Sequence, residues 1–166
     1  YYQALVNMFI RYGYAVFDCN GFSNDALGKS FWGNQKGLEA YRKADQYVVN
    51  NYNVEENFSI YAFSMGGLTA LNLAFQGFPN IDCIALGSPV IDLHAVFEST
   101  DGTANVLKAL YNLDDTWDDS KVVGNNPAKR ITTSSDTPYC HYILPPIKIW
   151  YGSTETGTSG NGGTDL

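Results

Sequence analysis

Phe58-Ser59-Ile60-Tyr61-Ala62-Phe63-Ser64-Met65-Gly66-Gly67-Leu68-Thr69-Ala70-Leu71 decides how this chain is read. The run from Phe58 to Phe63 is rich in aromatic and apolar residues and predicts a strand. The Leu- and Ala-containing run after it predicts a helix. Ser64 stands between the two, with Ala62 two residues before it and Gly66 two residues after. Small residues at both positions fit a place where strand and helix backbones nearly touch, and Gly67 eases the packing further. Ser64 is thereby set at a helix N-terminus, where unpaired N–H groups and the helix dipole favour developing negative charge.

This is the sequence form of a nucleophile elbow, the strained strand-to-helix turn that presents a serine hydroxyl above a parallel sheet. The usual spacing is G-x-S-x-G, and here Ala62 takes the first position. The competing reading is an ordinary β–α turn around a buried, hydrogen-bonded serine.

Composition sets the outer limits. A chain of 166 residues with 45% hydrophobic and 16% charged residues has the material for one globular domain with a core. Its formal net charge is −7 and no Lys/Arg-rich run occurs, which disfavours nucleic acid and anionic membrane surfaces as partners. No apolar stretch reaches the length of a membrane span. Three cysteines, Cys19, Cys83 and Cys140, without C-x-x-C spacing imply neither a disulfide framework nor a zinc site.

Outward from the elbow, helices and strands alternate. Tyr2, Leu5, Val6, Phe9 and Ile10 recur at helical spacing, with Gly13 placed to close the helix. Tyr14–Phe17 reads as a short buried strand. Residues 22–37, rich in Gly, Ser and Asn, read as a long loop. Leu38, Tyr41, Ala44, Val48 and Tyr52 mark a second amphipathic helix. After the elbow helix, stopped by Gly77 and Pro79, come apolar strands at Ile81–Leu86 and Ile147–Tyr151. Near-continuous apolar strands alternating with helices predict an α/β three-layer sandwich around a mostly parallel sheet. The segment 91–142 breaks the alternation and reads as an insertion, lid-like, over the carboxyl edge of that sheet.

With these elements in order, the chain resembles the α/β-hydrolase superfamily, across nearly its whole length in topology and around Ser64 in motif. The resemblance makes the strand before Ser64 the family's fifth of eight, Tyr14–Phe17 the fourth, Ile81–Leu86 the sixth and Ile147–Tyr151 the seventh. It also implies a domain cut at both ends: the third strand would precede Tyr1, and the eighth strand and catalytic histidine would follow Leu166. The resemblance further implies the roles. Ser64 is the nucleophile, and the Met65 backbone N–H is one oxyanion donor. The acid follows the seventh strand: Glu155, in Gly152-Ser153-Thr154-Glu155, or Asp165 if the Gly-rich tail is an insertion. Asp92, after the sixth strand, is a third option. No cofactor or metal is needed. The implied activity is hydrolysis of carboxylic esters of small-molecule, glycan or lipid type through an acyl-enzyme. A peptidase or acyltransferase on the same triad, and a non-catalytic binding module of a larger assembly, are the alternatives.

The base is the missing part. Both histidines, His94 and His141, precede the seventh strand, against the family order of serine, acid, histidine. They read as structural or surface residues, which leaves the base to a following segment or a partner chain. Two other constellations are set aside. Leu27-Gly28-Lys29-Ser30 lacks the first glycine of a phosphate-binding loop, since position 23 is serine. Asp114, Asp115, Asp118 and Asp119 lack the alternating oxygen ligands and glycine turn of a calcium loop, and read as a solvated acidic helix end. Trp117 is expected to anchor the excursion, and Phe31, Trp32, Trp117 and Tyr151 are candidates for a pocket wall.

Overall fold

The computed structural model describes residues 2–19, 32–100, 102–132 and 144–151. Helix α1 spans Tyr2–Arg11, and Gly13 follows it at φ +86°, the left-handed conformation that ends a helix at little cost to glycine. Helix α2 spans Gln35–Asn51, and its N-cap Asn34 accepts a hydrogen bond from Gly37 N at 2.9 Å. Strand β1 spans Phe58–Phe63, α3 Met65–Phe75 and β2 Ile81–Gly87. Four helices follow: α4 Leu93–Phe97, α5 Thr103–Tyr111, α6 Asp119–Val122 and α7 Pro127–Thr132. Strand β3, Ile147–Trp150, comes last.

The three strands form one parallel sheet in the order β1-β2-β3. Phe63 pairs with Gly87 and Gly87 with Trp150, so the carboxyl ends of all three strands lie side by side. Helix α3 covers one face. Its Ala70, Leu71 and Ala74 pack on Ile84 and Leu86, with Ile60, Ala62, Ile147 and Ile149 against them. Side chains alternate along a strand, so Tyr61, Phe63 and Trp150 point to the other face. There they stay 40%, 50% and 48% exposed, with the Phe9 ring of α1 against Tyr61 at 5.8 Å.

A second cluster gathers the helical excursion. Leu93, Val96, Leu107, Tyr111, Leu113 and Val122 pack with Val90 and with Leu68 of α3, and Trp32 and Trp117 lean on them. Trp117 packs from within the excursion, its ring meeting Phe97 at 5.5 Å. The structure corrects one expected strand: residues 14–19 join no sheet. Tyr14 N turns back to donate to Phe9 O at 3.1 Å, and the Tyr14 ring meets Phe9. The segment thus stays beside α1 instead of entering the plane of the sheet, and Tyr14 is left 61% exposed.

Among the described residues no helix is long and apolar enough to cross a membrane. Cys19 and Cys83 are free thiols; Cys83 is exposed and its Sγ lies 3.2 Å from Ser59 Oγ.

Candidate active site

The backbone at Ser64 is strained. Its φ is +48° and ψ −124°, a combination favourable to glycine and costing other residues about 1–3 kcal/mol. Three hydrogen bonds hold it there. Ser64 N donates to Gly87 O at 3.1 Å, extending the β1–β2 ladder by one step. Ser64 O accepts from Gly67 N and from Val90 N, each at 3.0 Å. The side chain takes no part: Ser64 precedes α3 at the N-cap position, yet its hydroxyl makes no capping bond and the residue is exposed. The buried, hydrogen-bonded serine of an ordinary turn is thus not what the structure holds.

Met65 opens α3, so its N–H has no intrahelical acceptor and lies beside Ser64 at the positive end of an 11-residue helix. The turn's tightness comes from an unexpected position. A Cβ on Gly66 would meet the Ala62 Cβ at 3.7 Å, an ordinary contact. A Cβ on Gly67 would sit 2.5 Å from Pro89 Cβ and 2.9 Å from its Cα. The backbone that presses on α3 is the exit of β2 and not β1, so Gly67 carries the constraint that the motif assigns to Gly66.

Ser88 is a residue that sequence reasoning missed. It leaves β2 at φ +42° and donates its N–H to Trp150 O at 2.6 Å, one strand over from Ser64. Its place between Gly87 and Pro89 was the available signal. The structure also gives Asp92 a structural task. Its Oδ1 accepts from His94 N at 2.9 Å, as the N-cap of α4, and from Asn126 Nδ2 at 3.0 Å.

His94 belongs to the excursion. Its ring stacks on Trp117 with centroids 4.8 Å apart, and Nε2 lies 3.4 Å from Glu98 Oε1. Glu155, Asp165 and His141 lie outside the described residues, as do Phe31, Cys140 and the 27–30 stretch. The structure therefore brings Ser64 and Met65 together and leaves the acid open. The acidic cluster is one of ion pairs and caps. Lys108 reaches Asp115 at 2.9 Å, Lys129 reaches Asp119 at 3.1 Å, and Asp118 caps α6. Among the described residues no three His, Cys, Asp or Glu side chains assemble a metal site.

A cavity of about 400 Å³ opens elsewhere, lined by Gly77, Phe78, Ile81, Asp82, Leu144 and Pro146. It lies at the amino ends of β2 and β3, away from Ser64. In α/β sheets ligands bind outside the carboxyl ends of the strands, so the Ser64 end is the candidate site. Compared with models of known protein families and with curated proteins, the chain matches none.

Proposed function

We propose that this chain carries the nucleophile of a serine hydrolase of the α/β-hydrolase type, acting on carboxylic esters. The observation that carries the reading is the strained Ser64 backbone. It sits at the carboxyl end of a parallel strand, with its hydroxyl unbonded among the described residues and a helix N-terminus beside it. Backbone strain of this kind clusters at active sites, and here three backbone hydrogen bonds hold it while the hydroxyl makes no capping bond. The reading also places the parallel sheet inside a three-layer sandwich and makes the helical excursion the cover of the site.

In this mechanism Ser64 Oγ attacks the acyl carbon while a histidine takes its proton. The carbonyl oxygen becomes an oxyanion that the Met65 N–H stabilises. The C–O bond to the alcohol breaks as the histidine returns the proton to the leaving oxygen. Water, deprotonated by the same histidine, then cleaves the acyl-Ser64 ester. His94 is engaged by Trp117 and Glu98, so in this reading the base is a histidine other than His94, oriented by Glu155 or Asp165.

Fluorophosphonate labelling read by intact mass tests this. One adduct, mapped to Ser64 and absent in Ser64→Ala, is expected from the protein with its base in place. A folded, full-length protein that takes up no label would reject the hydrolase and favour a non-catalytic binding module.

A further inference from the structure

Asn72 lies on α3, two helical turns beyond Ser64, and is fully buried. Its Nδ2 donates to Gly33 O at 3.1 Å and to Asn125 O at 2.7 Å. Asn125 Nδ2 donates to the same Gly33 O at 2.6 Å. Three segments far apart in the chain meet here: the turn before α2, the helix behind Ser64, and the turn between α6 and α7 of the excursion. Gly33 can take part only as glycine. It has φ +65°, and a Cβ would fall 2.5 Å from Asn72 Nδ2 and 3.0 Å from Leu68 Cγ. Asn72 Oδ1 is buried and accepts no hydrogen bond from a described residue. The two donations are what offset the burial of this amide among Leu and Ala.

Within the described residues the excursion is fastened at its start and again at residues 126–128. Val90 N donates to Ser64 O at 3.0 Å, so its near root rests on the serine's own carbonyl. Ala128 N donates to Ile91 O at 2.9 Å, and Asn126 Oδ1 accepts from Leu93 N at 3.2 Å, which join the start of α7 to the near root. Tyr111 OH adds a bond to Trp32 O at 2.6 Å, a second tie to the turn before α2.

We propose that Asn72 is a positioning residue: through Gly33 and Asn125 it latches the helical excursion onto α3 and fixes the opening above Ser64. The excursion is then a pinned roof and not a hinged lid. The consequence for acyl-group size rests on the hydrolase reading; the latch itself does not.

The test compares wild type, Asn72→Asp and Asn125→Ala as full chains. Asn72→Asp keeps the shape and turns an amide donor into a carboxylate facing two carbonyls. Asn125→Ala removes the parallel bond from a half-buried residue, and it carries the same readouts should Asn72→Asp fail to fold. Amide exchange over residues 93–132 is expected to quicken about tenfold, while Phe58–Phe63, Met65–Phe75 and Ile81–Gly87 keep wild-type rates. The rate of Ser64 labelling by a long-chain fluorophosphonate is expected to rise several-fold relative to a short one. Unchanged exchange over 93–132 in both variants would overturn the latch, as would an equal rise in roof and sheet. A loosened roof with an unchanged labelling ratio would overturn its link to the opening. A loosened roof in a protein whose wild-type Ser64 takes no probe at all would instead reject the hydrolase and leave the latch standing.

Discussion

Ser64 concentrates the conflict between stability and use in one residue. Its φ of +48° and ψ of −124° suit glycine, and any Cβ there adds strain. Ser64→Gly is therefore expected to be more stable than Ser64→Ala by about 1 kcal/mol, although glycine loses more entropy on folding. Both variants lose the nucleophile. Urea unfolding of the pair checks the first claim and fluorophosphonate labelling the second. A Ser64→Ala protein at least as stable as Ser64→Gly would show the turn to be unstrained. At this scale the sequence was a partial guide. The small flanks of Ser64 pointed to a sharp turn because sterics leave few residue types for one. The left-handed Ser88 was marked only by its place between Gly87 and Pro89, and the buried Asn72 stayed hidden, since nothing local marks where a distant carbonyl will approach. An asparagine amid Leu and Ala, as Asn72-Leu73-Ala74 reads, was the only sign.

At the scale of elements, β1, α3 and β2 were legible almost to their ends, because a six-residue apolar strand and a Leu/Ala helix have few other homes. The strand expected at Tyr14–Phe17 was not formed, because apolar content reports a wish for burial and not the neighbour that would bond the backbone. The glycines after Ser64 give the sharpest element test. Gly67→Ala drives a methyl into Pro89 and is expected to cost about 1–3 kcal/mol as overpacking, with the exit of β2 unable to move without disturbing Val90. Gly66→Ala meets only Ala62 Cβ at 3.7 Å and should be neutral, or stabilising by up to about 1 kcal/mol through helix propensity. Thermal unfolding of the two variants decides; the reverse order would place the close approach at β1.

The excursion invites a pH test. Asp115 is held below the ordinary carboxylate value by the hydrogen bond and charge of Lys108, Asp118 by hydrogen bonds from Ser120, and Asp119 by hydrogen bonds from Trp117 and Lys129. A lowered acid stabilises the fold in full above its unfolded value, here 3.8, and that contribution is lost as pH falls through the lower folded value. All three are surface groups, so each contribution is small and salt-screened. The roof is expected to loosen below about pH 4 before the sheet does, read as Trp117 emission against far-UV circular dichroism. A roof that holds as long as the sheet through that range would remove the acidic cluster from its support.

For the whole molecule, the decisive fact is that one helix serves two cores. Ala70, Leu71 and Ala74 of α3 seal the sheet, while Leu68 enters the roof cluster with Val90, Leu93 and Leu107. Ile91 alone of the excursion enters the sheet's core, while the roof rests on α3, on the exit of β2 and, through Trp32 and Gly33, on the turn before α2. Leu107 is fully buried in the roof and belongs to its cluster, not to that of the sheet. Leu107→Ala is expected to cost about 2–5 kcal/mol locally. That loss should fall on the roof alone, splitting one transition into two. The tryptophans make the split visible, since Trp32 and Trp117 pack on the roof and Trp150 ends β3. In Leu107→Ala the roof tryptophans should change emission at lower urea than the circular dichroism of the sheet, with Trp150→Phe as background to isolate them. The matching change in the sheet core, Leu86→Ala, should lower both transitions together, because the roof cannot outlast the helix it stands on. Coincident transitions in Leu107→Ala would mean that the two clusters fold as one unit, and that the roof's hold on Ser64 is inseparable from the stability of the sheet itself.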